Sequence, residues 1–155
     1  VYRGAKASLF EGGIRIPAAI AWPGKLPANE VRDQMCLNVD WMPTLAELCG
    51  IELNANDLNG KSLMPIIEDE GAKTLHPEGF YWEKGKSWMV RKGHWKLHGN
   101  PRATGIKGRP YMDEKIFLVN LKQDPGEQVN LVEKYPEKVK ELKAEYQKWK
   151  ATEKE

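Results

Sequence analysis

Residues 80–99 read FYWEKGKSWMVRKGHWKLHG, and this stretch decides the fold of the second half of the chain. Its aromatic and β-branched residues fall into three short runs, 80–82, 88–91 and 95–98, separated by residues that form turns. Runs of this length with so few residues between them are typical of antiparallel strands joined by hairpins. We therefore predict three neighbouring strands.

Beyond this stretch, the sequence predicts one more strand and a long helix. The strand is the apolar run 115–121, which follows a polar loop over 99–113 and precedes a turn at 124–126. The helix begins at Pro136, and its apolar side chains recur at spacings of three and four. They are Val139, Leu142, Tyr146 and Trp149. Such an amphipathic helix must cover an apolar surface, and the predicted sheet supplies one.

The first half of the chain predicts a different architecture. The apolar run 16–22 is bounded by glycine and proline residues, which is typical of a short buried strand. Residues 40–50 predict a short helix with Asp40 as its cap and a glycine at its end. Residues 51–78 read as a connector with one or two helical turns near 63–67.

Composition excludes several classes of protein. At 155 residues the chain has the length of one ordinary domain, and 41% hydrophobic residues exclude disorder as a whole. Its 24 basic and 22 acidic residues leave a net charge of +2, which does not predict a nucleic-acid or anionic-membrane binder. No apolar run is long enough to span a bilayer. Cys36 and Cys49 are too few to form a disulfide framework.

Two cations flank a glycine-rich segment near the start of the chain. Gly4-Ala5-Lys6 is followed by Glu11-Gly12-Gly13-Ile14-Arg15, and such a loop could hold an anion. The alternative is a solvated lysine beside an arginine that pairs with a nearby carboxylate. Composition alone favours the alternative.

Five ordered segments change that balance, because together they resemble the C-terminal portion of the sulfatases, in the alkaline-phosphatase-like superfamily. GAKASLFEGGIRIP at 4–17 resembles the family's G-x-K and E-G-G-x-R-x-P pattern. VDWMPTLAELCG at 39–50 resembles its D-x-x-P-T-L helix, and NGKSLMP at 59–65 its D-G-x-S-L-x-P turn, with asparagine where aspartate is usual. VRKGHWKL at 90–97 and LKQDPGEQVNL at 121–131 resemble R-x-G-x-W-K-L and D-P-x-E-x-x-N-L.

The resemblance implies a role for one catalytic residue. Lys6 aligns with the lysine that contacts the sulfate and assists departure of the alcohol. A preorganised positive charge beside developing negative oxygen suits that role physically. His98 and Trp95 lie where family members sometimes contribute to the substrate rim, although a packed tryptophan is the commoner case.

The other matched positions are expected to be structural. Glu11 and Arg15 would brace the loop rather than touch the substrate, and the remaining residues would act in caps and turns. These remaining residues are Gly12, Gly13, Asp40, Thr44, Asp124 and Glu127.

The resemblance also implies what this chain lacks. The family uses a formylglycine made from Cys or Ser in a C/S-x-P-x-R motif, beside a calcium or magnesium ion. Neither Cys36 nor Cys49 lies in such a motif, so we expect no nucleophile and no metal ligands here. His94 and His98 do not form a metal site either, because four residues along a strand span about 13 Å. The aromatic and basic residues of 80–98 could form a stacking platform for sugar or nucleic acid, but a packed hairpin is favoured.

We therefore expect a piece of α/β fold: the end of the large catalytic domain at 1–75, then a small antiparallel sheet with a terminal helix at 76–155. The implied parent hydrolyses sulfate esters, and this chain would be inactive alone. The parent's substrate would be a sulfated small molecule or glycan, and the chain's partner the missing N-terminal part of the catalytic domain. We expect neither nucleic-acid binding nor a membrane span. The family suggests a periplasmic, secreted or lysosomal location. The alternatives are a phosphoester hydrolase of the same superfamily and a stand-alone module that binds sugar or assembles subunits.

Overall fold

The structure is a computed structural model that describes residues 2–54, 57–103 and 114–152. Its regular elements are, in order, helix α1 (Glu11–Ile14), a 3-10 turn (Asn38–Asp40), helices α2 (Trp41–Leu48) and α3 (Met64–Glu68), strands β1 (Phe80–Lys84), β2 (Ser87–Lys92), β3 (Trp95–Gly99) and β4 (Ile116–Asn120), and helix α4 (Pro136–Thr152). No helix among these residues is long and apolar enough to cross a bilayer. Four of the five predicted strands are confirmed, as are the helix after Asp40, the helical turn near residue 65 and the terminal helix. Most of the predicted loop 99–113 lies outside the described residues.

The sheet is an antiparallel meander in the order β1-β2-β3-β4. Because side chains alternate between the two faces of a strand, neighbouring residues of β3 point to opposite sides. Val90, Leu97 and Leu118 are cross-strand neighbours on one face, and Leu142 and Tyr146 of α4 complete the core there. This is the packing that the apolar stripe of the helix predicts.

Aromatic pairs fasten α4 to the sheet. The rings of Trp88 and Tyr146 stack with centroids 4.0 Å apart, and those of Tyr81 and Trp149 stack at 5.3 Å. Trp88 faces Gly99 across the ladder, and a Cβ at Gly99 would lie 1.9 Å from the indole ring. Only glycine leaves room for the indole. Trp88 is therefore a packing residue, as the prediction of a packed hairpin implies.

The second face of the sheet is buried by the start of the chain. Phe10 packs there with Phe117, Val119 and other apolar residues in a separate core cluster. Two compact units result: the described part of Val1–Pro17 with Glu78–Glu155, which we call the sheet unit, and Ala18–Pro77, which we call the connector unit. The assignment of 1–75 to a larger catalytic domain stays a prediction. Within this chain, however, the first residues pack with the sheet, because Phe10 and Glu11 are buried against it.

One predicted element is wrong. Residues 16–22 form no strand, and Ile16 is 74% exposed. The apolar run alone does not make a strand, because a strand also needs a neighbour to accept its ladder hydrogen bonds, and the described part of the chain offers it none.

The connector unit is organised around one carboxylate. Asp40 is fully buried, and its oxygens accept hydrogen bonds from the backbone N–H groups of Leu37 (2.7 Å) and Lys61 (2.9 Å) and contact Nε2 of His76 at 3.0 Å. The expectation that the Asp40 side chain caps α2 is wrong, because that side chain makes no capping hydrogen bond to the helix. Instead the carboxylate joins three separate stretches of the connector.

Candidate functional site

Lys6 lies in a tight loop whose ends are hydrogen-bonded to each other. The N–H of Gly12 donates to the carbonyl of Arg3 at 2.8 Å, and the N–H of Ser8 donates to the carbonyl of Ala5 at 2.9 Å. We call residues 3–12 the lysine loop. Gly4 and Ala7, on either side of Lys6, have φ of +80° and +76°. Such a φ is strained for a non-glycine residue, so the backbone at Ala7 is strained. The side chain of Lys6 is exposed.

The glycine pair of the E-G-G segment has a steric cause. A Cβ on Gly12 would lie 2.4 Å from the carbonyl oxygen of Gly4, and a Cβ on Gly13 would lie 2.3 Å from that of Ser8. A backbone oxygen can relieve such a contact only if the backbone moves, and that movement would open the lysine loop. Both glycines are therefore needed to close the loop.

The glutamate of the same segment is buried under the sheet. Its Oε1 lies 2.8 Å from Nζ of Lys96, and its Oε2 lies 3.4 Å from the guanidinium of Arg91. Period-two alternation places Lys96 and His98 on the face of β3 opposite to Leu97, which is the face that the lysine loop covers. Glu11 thus braces the loop, as a counterion of residues on β2 and β3.

Glu127 is the second buried carboxylate. Its Oε1 lies 3.0 Å from Nζ of Lys96 and 3.1 Å from Nε2 of His98, and its Oε2 accepts the backbone N–H of Glu11. It has φ of +54°, in a turn that Asp124 closes by accepting the N–H groups of Gln128 and Val129 at 2.7 and 2.8 Å. The turn therefore delivers a carboxylate to the floor of the lysine loop.

These side chains form a charge-balanced cluster, which we call the buried ion cluster: Glu11, Glu127, Lys96, Arg91 and His98. Two carboxylates face two cations, so a neutral imidazole completes the balance. Burial lowers the pKa of His98 to about 4, against the opposing effect of its hydrogen bond to Glu127. Burial alone would raise the pKa of Glu127, but the hydrogen bond from His98 and the charge of Lys96 lower it below its usual value. At neutral pH Glu127 is therefore ionised and His98 is uncharged.

The two residues expected at a substrate rim are buried or half-buried in the sheet unit. His98 is 1% exposed, and its ring stacks on that of Phe10 with centroids 4.4 Å apart. Trp95 is half-buried against Tyr135 on the α4 side of the sheet. The rim role stays a prediction, and the burial of His98 argues against it.

Two arginines near the lysine loop differ in their surroundings: one is exposed and the other is hydrogen-bonded to the backbone. Arg15 is exposed, with its guanidinium 4.9 Å from the centre of the Tyr2 ring. Arg3 donates from NH1 to the carbonyl oxygen of Glu127 at 2.8 Å and lies over the rings of Phe10 and Phe117. Sequence reasoning missed Arg3, Arg91 and Lys96. Arg91 and Lys96 belong to the R-x-G-x-W-K-L segment, so the sequence pattern marks them. It does not show that they pair with buried carboxylates.

The residues described here do not fit a resident metal ion. Within 2–54, 57–103 and 114–152, no three His, Cys, Asp or Glu side chains are arranged to hold one. The carboxylates of the buried ion cluster already face Lys96 and Arg91. Cys36 and Cys49 are exposed free thiols. No chemical step is therefore assigned to a metal bound by these residues.

Comparison with known proteins gives one consistent result. The family model described as N-sulphoglucosamine sulphohydrolase, C-terminal, matches residues 5–152. Arylsulfatase A of Bos taurus is 32% identical over 151 residues, covering 87% of this chain and 29% of that protein. Human steryl-sulfatase is 35% identical over 83 residues, covering 53% of this chain and 14% of that protein.

Solved structures agree with the sequence matches. A protein solved in work on the metabolism of multiple glycosaminoglycans by Bacteroides thetaiotaomicron superposes with a TM-score of 0.72 at 27% identity. The match covers 97% of this chain and 32% of that one, so the chain spans less than a third of the length of these relatives. The four-stranded sheet with its terminal helix is part of the alkaline-phosphatase-like fold of the sulfatases. The chain belongs to the family of N-sulphoglucosamine sulphohydrolase C-terminal domains, and so to the C-terminal portion of the sulfatases.

Proposed function

We propose that this chain is the C-terminal part of a longer enzyme that hydrolyses sulfate esters to an alcohol and sulfate, and that Lys6 binds the sulfate group. The observation that carries the proposal is the lysine loop. An exposed lysine lies at the turn of a strained, closed loop whose base is held by a buried ion cluster. A cation held in this way pays little reorganisation energy when an anion binds.

The chemical role of Lys6 follows from the charge of the reaction. When the S–O bond to the alcohol breaks, negative charge develops on the leaving oxygen while the sulfate oxygens stay anionic. An ammonium group beside these oxygens stabilises the transition state and can donate a proton to the alkoxide. The nucleophile and the metal belong to the part of the enzyme outside this chain, which we propose to be inactive by itself.

We further propose that the rest of the enzyme covers the connector unit. Several apolar side chains of that unit are exposed, and Met42 and Leu45 of α2 are 62% and 51% exposed. The others include Val39, Ile51 and Leu53. An apolar surface of this kind is typical of an interface with another part of a protein. The relatives are more than three times as long as the matched stretch, so such a partner is available within one polypeptide.

The test compares Lys6→Met with wild type in the full native gene product, using an aryl sulfate and the matching aryl phosphate. Loss of one electrostatic contact to the transition state should lower kcat/KM for the sulfate by about 100-fold or more. Lys122→Met, at another exposed lysine of the sheet unit, is the matched control and should stay within about twofold.

Two results would refute the proposal. Wild-type activity in the Lys6→Met protein would remove Lys6 from the reaction. Faster turnover of the phosphate than of the sulfate by the wild type would favour a phosphoester hydrolase of the same superfamily.

A further inference from the structure

We infer that Glu127 is the positioning residue of the lysine loop, fixing both ends of it from a turn more than a hundred residues away in sequence. The inference rests on the proposed function only for its consequence at the sulfate. The arrangement itself is a property of this chain.

Both ends of the loop are hydrogen-bonded to this one residue. At the first end, NH1 of Arg3 donates to the main-chain carbonyl oxygen of Glu127 at 2.8 Å. At the second end, the N–H of Glu11 donates to the carboxylate of Glu127. The Gly12 to Arg3 hydrogen bond then joins the two ends to each other. Lys6 lies midway along a segment whose start and finish are both tied to Glu127.

Burial and ion pairing restrict the movement of the Glu127 side chain. Its side chain is fully buried, and Lys96 and His98 fix the carboxylate oxygen that does not bind Glu11. Its φ lies in the left-handed region, and in this conformation its carbonyl accepts from Arg3 while its carboxylate accepts from Glu11. Glutamate is unusual at such a φ, so the strain is retained for the side chain.

Replacing the carboxylate by an amide should break this arrangement without changing its size. A carboxylate accepts on both oxygens, whereas an amide has one acceptor and one donor group. If the amide oxygen faced Glu11, the NH2 group would face the ammonium group of Lys96, which also donates. If it faced Lys96, the NH2 group would meet the N–H of Glu11. Either orientation sets donor against donor.

The experiment measures hydrogen exchange of single backbone amides in the native gene product that carries this chain. In Glu127→Gln, the Glu11 and Gly12 amides should exchange at least about 10-fold faster, because each depends on the hydrogen bonds at the base of the loop. The amides of β3 should change much less. Glu133→Gln makes the same chemical change at an exposed glutamate of the sheet unit outside this turn, so it is the matched control and should leave Glu11 protected.

Arg3→Met supplies a second test if Glu127→Gln does not fold. It removes the other tie while keeping a side chain that can lie over Phe10, and it should release the same amides. Unchanged exchange of Glu11 and Gly12 in both variants would overturn the inference. So would an equal acceleration across β3 and the loop, because Glu127 would then be a stability residue only.

Activity separates this inference from the proposed function. If the wild type hydrolyses aryl sulfates, Glu127→Gln should lower kcat more than it raises KM, and Glu127→Asp, which keeps the charge, should recover part of the loss. If the wild type does not hydrolyse them, the proposed function fails while the exchange result still decides the role of Glu127.

Discussion

The sheet unit and the connector unit are stabilised in opposite ways. The sheet unit has apolar cores on both faces of its sheet and a buried ion cluster beneath the lysine loop. The connector unit buries few apolar side chains and is joined mainly by polar groups such as Asp40 and Arg32, whose guanidinium donates to the carbonyls of Ile66 and Ile67. Its apolar side chains are largely exposed. The difference indicates that the sheet unit completes its own core, and it supports the proposal that another part of the enzyme covers the connector unit.

Removal of the cation at the centre of the buried ion cluster should have the largest effect on the stability of the sheet unit. Lys96 is fully buried and serves both Glu11 and Glu127, so Lys96→Met leaves two buried carboxylates with Arg91 alone. We expect a loss of about 3–5 kcal/mol in the unfolding free energy of the sheet unit, measured by urea titration with amide exchange in β3.

The matched control is Lys92→Met on the neighbouring strand. Lys92 pairs with Glu145 at 2.8 Å, but both groups are about one-third exposed, so its loss should cost under about 1 kcal/mol. Equal effects of the two substitutions would show that the buried ion cluster does not stabilise the sheet unit.

Acid should weaken the sheet unit through His98. Its folded pKa of about 4 lies below the ordinary 6.5, so between these values the unfolded chain binds a proton that the folded chain does not. Stability is therefore full above pH 6.5 and falls as the pH drops towards 4, by about 3 kcal/mol over the window. The lowered pKa of Glu127 extends the loss below pH 4.5.

Urea titrations at several pH values check this prediction. His98→Gln keeps a donor for Glu127 without a titrating group, so its stability should change less between pH 6.5 and 4.5. A wild-type stability that stays flat over that range would contradict the neutral, buried state of His98.

The connector unit should depend most on Asp40. Asp40→Ala removes the acceptor for the N–H groups of Leu37 and Lys61 and the partner of His76. We expect about 2–3 kcal/mol less protection of amides in 18–77, with the amides of β2 and β3 unchanged. Asp33→Ala, at an exposed aspartate of the same unit, is the control. Equal loss of protection in both units would mean that they are not separately stabilised.

The smallest effect on stability is expected at the exposed apolar face of α2. Leu45→Glu should change the unfolding free energy of this chain by less than about 0.5 kcal/mol, because the side chain is half exposed. It should also reduce self-association, which analytical ultracentrifugation of the chain by itself measures. Unchanged self-association would show that the exposed apolar side chains of α2 do not bind other protein surfaces.

Local patterns in the sequence predict the sheet and the terminal helix well, because both follow from the spacing of apolar side chains. The same reasoning fails at 16–22, where an apolar run has no strand beside it in the described chain. It also misses Lys96 as a buried group. Alternation shows that Lys96 and Leu97 face opposite ways, but not that Phe10 and Glu11 return to cover the side of Lys96. That contact joins residues 85 positions apart, which no local pattern contains.

Sequence motifs locate the lysine loop but do not show what holds it. The E-G-G and D-P-x-E segments are each recognisable, yet their physical connection is a hydrogen bond between Glu11 and Glu127 across 116 positions. The structure also explains the glycine pair as a steric need of loop closure. The E-G-G and D-P-x-E motifs, which the sequence shows as two separate turns, are therefore joined by a hydrogen bond in the structure.

Intact-mass and peptide analysis of the native gene product decides whether this chain is the C-terminal part of a longer sulfatase. Our account predicts a polypeptide well above 17.7 kDa that contains a formylglycine peptide upstream of this chain. A native product of 17.7 kDa without that residue would contradict it, because the sheet unit and the connector unit would then have to function with no further catalytic part.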